Sequence, residues 1–168
     1  MEEGPNLDVL EKTLERMLLW IAAADNKVAP VMAIDTAMLG VVAAIAPKPG
    51  NWTLGAGLTT AVTVALIFAS LIILFFAAFP QTSGPKGSLV FFGGITQRDL
   101  DVFVTEITDL PIGNYRKDLA HQCYRNAEIA GRKYRYVKFA MATLFAAIIP
   151  WMLAVYLMYG AGSDRYLA

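Results

Sequence analysis

Residues 54–79, LGAGLTTAVTVALIFASLIILFFAAF, run for 26 positions without one charged side chain. About 20 helical residues cross the hydrocarbon layer of a bilayer, so this run spans it with room for some tilt. Gly55, Ala56, Gly57 and Thr60 near its start permit close contact with another helix. Pro80 stops it. Whatever else the chain forms has to be arranged around a membrane helix.

Two further runs have the same character. Residues 28–46, VAPVMAIDTAMLGVVAAIA, come close to a span in length, with Asp25 and Lys27 at the entrance and Asp35 inside. Pro30 is expected to bend the join to whatever precedes it. The run ends in PKPGNW, a turn-rich loop with Trp52 as an interfacial anchor. The third run is the apolar half of a long helical pattern over residues 115–159. Its first part, to Lys138, is basic and polar; residues 139–159 are almost pure hydrocarbon. Gly131 and Pro150 are the irregular residues inside it.

The remaining segments read as helix and loop. Residues 5–29 form a helix behind Asn6 as N-cap. Leu7, Leu10, Leu14, Met17, Ile21, Ala24 and Val28 give it an apolar stripe at alternating steps of three and four. That stripe serves either packing inside the chain or self-association. Residues 80–95 read as a glycine-rich loop around LVFF, with room for one short strand. Thr96 caps an amphipathic helix over 97–109 with the face Leu100, Phe103, Val104 and Ile107. DLPIGN then turns the chain into the helix at 115–138, whose own stripe is Leu119, Cys123, Ala127, Ala130, Tyr134 and Val137. The helices at 6–29 and 115–138 are each about 36 Å long at 1.5 Å per residue and pair stripe against stripe.

The expected fold is therefore an all-α membrane protein. It has three transmembrane helices, cytoplasmic helical stalks extending the first and third spans, and one short amphipathic helix, in a single domain over 1–168. Nine lysines and arginines lie between the second and third spans; the 48–53 loop has Lys48 and the tail from Ala161 has Arg165. Basic residues stay on the cytoplasmic side, so the N-terminus and the 80–138 segment face the cytoplasm and the C-terminus faces outward. The acidic N-terminus (Glu2, Glu3, Asp8) resembles no secretory signal.

Charge and residue inventory narrow the chemistry. The sequence has 14 basic and 14 acidic residues, so it is no general polyanion binder and no DNA or RNA partner is expected. One cysteine, Cys123, and one histidine, His121, exclude an internal disulfide and argue against a metal site. No nucleophile–base pair is visible, so no enzyme activity and no cofactor are expected. GPKGS is not a phosphate loop of the Walker type, because its lysine does not directly precede Ser or Thr. The cluster Arg125, Arg132, Lys133, Arg135 and Lys138 has two readings: it sets topology and attracts anionic headgroups, or it recognises a phosphate. Asp35 is costly in hydrocarbon. It serves as a pore, gating or ion-sensing carboxylate, or makes a structural hydrogen bond to Thr36 or a partner helix. Asp25, at the interface, is the other membrane candidate, or pairs with Lys27.

Three stretches carry a resemblance. They are WIAAADNKVAPVMAIDTAMLG (20–40), SLVFFGGITQRDLDVFVTEI (88–107) and DLAHQCYRNAEIAGRKYRYVKFA (118–140). In order and spacing they resemble the transmembrane effector family of Pycsar anti-phage defence. The resemblance implies a bacterial inner-membrane effector working beside a pyrimidine cyclase. The cyclase makes cyclic CMP or cyclic UMP on infection; the effector responds by compromising the membrane, which stops growth. It gives the basic helix and the glycine-rich loop a shared task, holding an anionic cyclic nucleotide, with Arg125, Arg132, Lys133, Arg135, Ser88 and Phe91 as candidate contacts. Three spans in one chain cannot readily enclose a water-filled path, so a homo-oligomer is expected. The alternative is a membrane scaffold or channel-like oligomer recruited by a protein partner.

Overall fold

A computed structural model describes residues 6–163, with side chains to residue 160. Glu2, Glu3, Pro5 and Arg165 lie outside the described residues. Six helices and no strand occur among those described: α1 (Leu7–Asp25), α2 (Val28–Ile45), α3 (Leu54–Ala78), α4 (Phe92–Ile95), α5 (Leu100–Thr108) and α6 (Ile112–Ser163). The described residues fall into two compact units. One comprises 6–24 and 79–133, the other 25–78 and 134–163, so α6 contributes to both.

The second unit is a bundle of α2, α3 and the apolar part of α6. Each helix buries one stripe. On α2 it is Val28, Val31, Asp35, Met38 and Val42; on α3 it includes Thr63, Ile67, Ser70, Leu74 and Ala77. On α6, Val137, Ala140, Leu144, Ala147, Ala154 and Met158 follow the same alternation of three and four. This is the spacing that keeps one helix face turned to its neighbours. Small residues recur within the stripes, which lets backbones approach without a hydrophobic driving force between lipid-immersed helices. Ala56 packs with Val42, Ala154 and Met158, so this part of the small-residue patch at 55–57 is used within the chain. The outer faces are also apolar: Leu54, Phe68, Ile72, Phe75, Phe145 and Ile149 are all more than half exposed. A bundle that is apolar inside and out has lipid as its solvent. All three long helices are long and apolar enough to cross a membrane.

Local chemistry sets the helix ends. Thr53 caps α3, its hydroxyl accepting the amide of Ala56 at 3.2 Å. Asn6 does the same for α1, its side-chain oxygen accepting the amide of Asp8 at 3.3 Å. The break between α1 and α2 falls at Asn26 and Lys27, earlier than the Pro30 expected from the sequence. Pro30 sits in the first turn of α2, where its missing N–H costs no helix bond. The α6 helix starts at Ile112, three residues before the expected start, because the Pro111 carbonyl accepts the amides of Asn114 and Tyr115. It runs unbroken through Gly131 and Pro150.

In the first unit, α1 lies along residues 112–133 of α6. The Cys123 thiol donates to the Leu10 carbonyl at 3.3 Å, and the Tyr115 hydroxyl donates to Glu11 at 3.2 Å. The α1 stripe is half-buried or buried throughout, with Ala24 fully buried and Met17 nearly so. The α6 stripe is shifted from the one expected. Ala127 and Tyr134 are exposed, while Gln122, Ile129 and Lys133 are buried beside Leu119, Cys123 and Ala130. The 97–109 helix begins later than expected, at Leu100 behind Asp99, because Thr96 closes α4 instead. No residue of α5 is buried.

Candidate ligand cavity

The 80–99 segment is knitted, not slack. Ser88 is buried, and its hydroxyl accepts the amides of Val90 and Phe91 at 3.1 and 2.9 Å and the side-chain amide of Gln122 at 3.0 Å. Asp118 accepts the Leu89 amide at 2.8 Å. Arg98 donates to three carbonyls of the segment, those of Gly87 (2.9 Å), Ser88 (3.3 Å) and Gly94, and pairs with Glu106 at 2.7 Å. An arginine has five donors in a fixed fork, which suits a loop whose carbonyls have no ladder or helix partner.

Glycine is required at two places by close approach. A Cβ on Gly94 would collide with the Ser88 carbonyl oxygen. A Cβ on Gly84 would collide with the Phe91 ring, which also lies against Gly93. The GPKGSLVFFGG run therefore seats an aromatic ring among glycines and anchors its backbone to α6.

Between this segment, α1 and α6 lies a cavity of about 390 Å³, within the size range of small-molecule sites. Helix α6 lends it Gln122, Arg125, Asn126, Ile129 and Lys133, one face by helical spacing. Helix α1 lends Leu14, Leu18 and Ile21, and the loop lends Ser83, Val90, Phe91 and Phe92 among others. The walls are largely apolar, with two cations among them. Lys133 is only 7% exposed. Arg125 donates to the Ser83 carbonyl at 3.0 Å and to the Ser83 hydroxyl, and pairs with Glu128 at 2.9 Å. Asn126 donates to the Gln122 carbonyl at 2.9 Å, which leaves its side-chain oxygen as an acceptor. Cations set in a largely apolar lining attract an anion more strongly than the same cations in open solvent. On the same pair of helices, burial pushes the Cys123 thiol up from its ordinary value, and burial followed by Glu11 pushes the Tyr115 phenol up.

Of the candidate contacts, Arg125, Lys133 and Phe91 meet at this cavity. Ser88 does not line it; it supports Gln122 and the Phe91 backbone from behind. Arg132 and Arg135 are exposed and do not line it. Gln122, Asn126 and Arg98 are not among the candidate contacts read from the sequence. The available signal was the placement of Gln122, Asn126, Ile129 and Lys133 on one helix face with Arg125. A second, polar cleft of about 330 Å³ is lined by Lys86, Asn114, Lys117, Asp118 and His121 among others.

The two aspartates are elsewhere. Asp25 is the exposed last residue of α1. Asp35 is fully buried in the bundle, and its bond goes to Ser70 at 2.7 Å, not to Thr36, which bonds the carbonyls of Met32 and Ala33. Among the described residues no cluster of three His, Cys, Asp or Glu could hold a metal.

Comparison with protein families adds a match to the PycTM model, described as Pycsar effector protein domain, over residues 9–160. No curated protein and no solved structure matches the chain. The match covers the cavity-bearing segments and all three apolar helices. The chain therefore belongs to the Pycsar effector (PycTM) family and is a multi-pass membrane effector of anti-phage defence.

Proposed function

We propose that a cyclic pyrimidine mononucleotide, cyclic CMP or cyclic UMP, binds the α1–α6 cavity and activates the protein to disrupt the inner membrane. The observation that carries this reading is the convergence of Arg125 and Lys133 with Phe91 in one recess of small-ligand size. Each wall has a chemical counterpart in such a ligand. The two cations suit the phosphodiester, with arginine's fork able to grip two oxygens. Phe91 offers a face or edge to a base. Asn126 and Gln122 carry amides that match the donor and acceptor edge of a pyrimidine. Membership of the Pycsar effector family supports a cyclic-nucleotide signal, and in this reading a partner pyrimidine cyclase supplies it.

The remaining parts of the reading follow. The distribution of lysine and arginine favours an inner-membrane protein with its N-terminus and the 80–138 segment in the cytoplasm. Membrane damage requires several copies, and its outcome is growth arrest or abortive infection. Titration of cyclic CMP and cyclic UMP onto the full chain in detergent, with a membrane-potential dye in cells, tests the reading. Micromolar binding of one nucleotide and depolarisation on its production are expected. Absence of both, for both nucleotides, overturns it.

A second reading rests on α5. Leu100 is 74% exposed and Val104 and Ile107 lie on the same unburied face. A helix of this kind fits a scaffold or channel-like oligomer recruited by a protein partner. That reading predicts a stable partner on purification and no response to either nucleotide.

A further inference from the structure

Among the described residues, Asp35 is the one charged side chain on the three buried stripes of the membrane bundle. It is 0% exposed. One oxygen, Oδ2, lies 2.7 Å from the Ser70 hydroxyl; the other, Oδ1, has no hydrogen-bond partner. The Ser70 hydroxyl also lies 3.2 Å from the Ala140 carbonyl oxygen. Three atoms from three helices thus share a short chain: Asp35 of α2, Ser70 of α3 and Ala140 of α6.

The geometry points to Asp35 as a proton-binding site, its carboxyl neutral in the assembled bundle and donating to Ser70, which donates in turn to the Ala140 carbonyl. A serine hydroxyl has one proton. If Asp35 were ionised, that proton would go to the carboxylate, and the Ser70–Ala140 approach would hold two acceptors with no hydrogen between them. The carboxylate would also keep one oxygen bare and have a single donor in all. An ion held so is heavily penalised in an apolar interior, whereas a neutral acid is penalised far less. With the proton on Asp35, both short approaches carry a hydrogen.

The facing groups agree with this assignment. On α3 the inward neighbours along the stripe are Thr63, Ile67, Ser70 and Leu74; on α6 they are Val137, Ala140 and Leu144. None of these titrates. At the start of the bundle, Lys27 places its ammonium 5.4 Å from the centre of the Tyr134 ring. Asp25 lies at that end of α2 as well, and the Tyr136 phenol of α6 packs against the same core cluster. Release of the Asp35 proton to water would leave the charge on the carboxylate, turn the Ser70 hydroxyl toward it and remove the bond to α6. The three-helix tie therefore lasts only while the proton does. The inference is independent of the nucleotide reading.

Infrared difference spectroscopy of the full chain reconstituted in lipid at neutral pH tests it. The expected result is a protonated-carboxyl carbonyl band that shifts in deuterated water, is missing in Asp35→Asn and moves in Ser70→Ala, where the acceptor is gone. Asp35→Asn keeps the shape and a donor, so it is expected to fold. A folded Asp35→Asn protein that lacks no such band overturns the proposal. Should that variant fail to fold, an unmoved band or no band in Ser70→Ala overturns it equally. A second expected result is that vesicles containing the wild-type chain leak more as pH is raised, while those containing Asp35→Asn do not respond.

Discussion

The two units bury their interiors by different rules. The membrane bundle buries stripes of apolar and small residues at regular steps of three and four, interrupted by Thr63, Ser70 and Asp35. The other unit buries Ser88, Gln122 and Lys133 beside Leu119, Ile129 and its alanines, and it holds a loop in place with side-chain bonds, several of them to backbone. A periodic interior tolerates many sequences, since any residue of about the right size fits a stripe. A bonded interior does not, because each missing partner strands a buried donor or acceptor at a cost of about 1–3 kcal/mol. The cavity sits in the second kind of interior. Substitutions there should be sharp in effect, and those on the outer helix faces should be mild.

The loop is the place to break that contrast. Gly94→Ala puts a methyl group into the Ser88 carbonyl oxygen, backbone that cannot yield without unmaking the Arg98 bonds. Arg98→Ala removes the donor to three carbonyls at once. Each is expected to cost on the order of 3 kcal/mol locally. That would appear as roughly a hundredfold loss of nucleotide affinity by calorimetry. Hydrogen exchange should rise across 84–98, with the bundle helices unchanged. Loss of protection in α3 as well would mean that the two interiors do not respond separately.

Next in size are the cations of the cavity. Truncating a cation that pairs with an anion in a buried, hydrogen-bonded contact typically costs about 2–5 kcal/mol. Lys133→Ala and Arg125→Ala should each weaken cyclic-nucleotide binding by about thirtyfold or more. Arg125→Lys should recover only part, because one ammonium cannot replace a fork that already holds Ser83. Lys117→Ala and His121→Ala, in the polar cleft, should leave affinity unchanged. The reverse pattern would move the ligand to that cleft.

How much of this was readable beforehand follows from the same contrast. The 26 uncharged residues at 54–79 and the 3–4 spacing of α1 state helix, span and inward face directly, because periodicity is a local property. The α6 stripe differs from the expected one at Ala127 and Tyr134; alanine exposes little apolar area, and tyrosine has a polar tip that can reach water. The loop was the harder case. Glycine and proline announce a turn, but nothing local says that Arg98 reaches back to Gly87 or that Gln122 bonds Ser88 across 34 residues. Arg125 and Lys133 were singled out with Arg132 and Arg135 because all four share one basic helix. Only the packing of α1 and the loop separates the two that line the cavity from the two that do not.

The α1–α6 contact offers a pH test of intermediate size. Burial raises the Cys123 thiol and the Tyr115 phenol above their ordinary values. A raised group binds its proton more tightly when folded, so its contribution is fully present below the unfolded value and is lost as pH rises through the folded one. Thermal unfolding of this unit should therefore fall on the alkaline side, past the ordinary thiol and phenol range, with no matching loss at acid pH from these two groups. Cys123→Ala should flatten part of that alkaline slope. An unchanged slope in Cys123→Ala and in Tyr115→Phe would mean that the contact does not hold these groups protonated.

The smallest effects are expected at Arg132 and Arg135. Both are exposed on α6 and line no part of the cavity. Exposed charges contribute little to a site they do not touch, and salt screens what remains beyond a Debye length of about 8–10 Å. Arg132→Ala and Arg135→Ala should change cyclic-nucleotide affinity by less than about twofold. Basic residues flanking a span attract anionic headgroups, so the double variant should instead lose part of its preference for vesicles rich in anionic lipid, measured at low and high salt. These two results together would assign one basic helix two separate tasks. Buried Lys133, with Arg125, would serve the ligand, and its exposed neighbours would serve the membrane. A tenfold loss of nucleotide binding in either single variant would erase that division and return all four cations to one anion site.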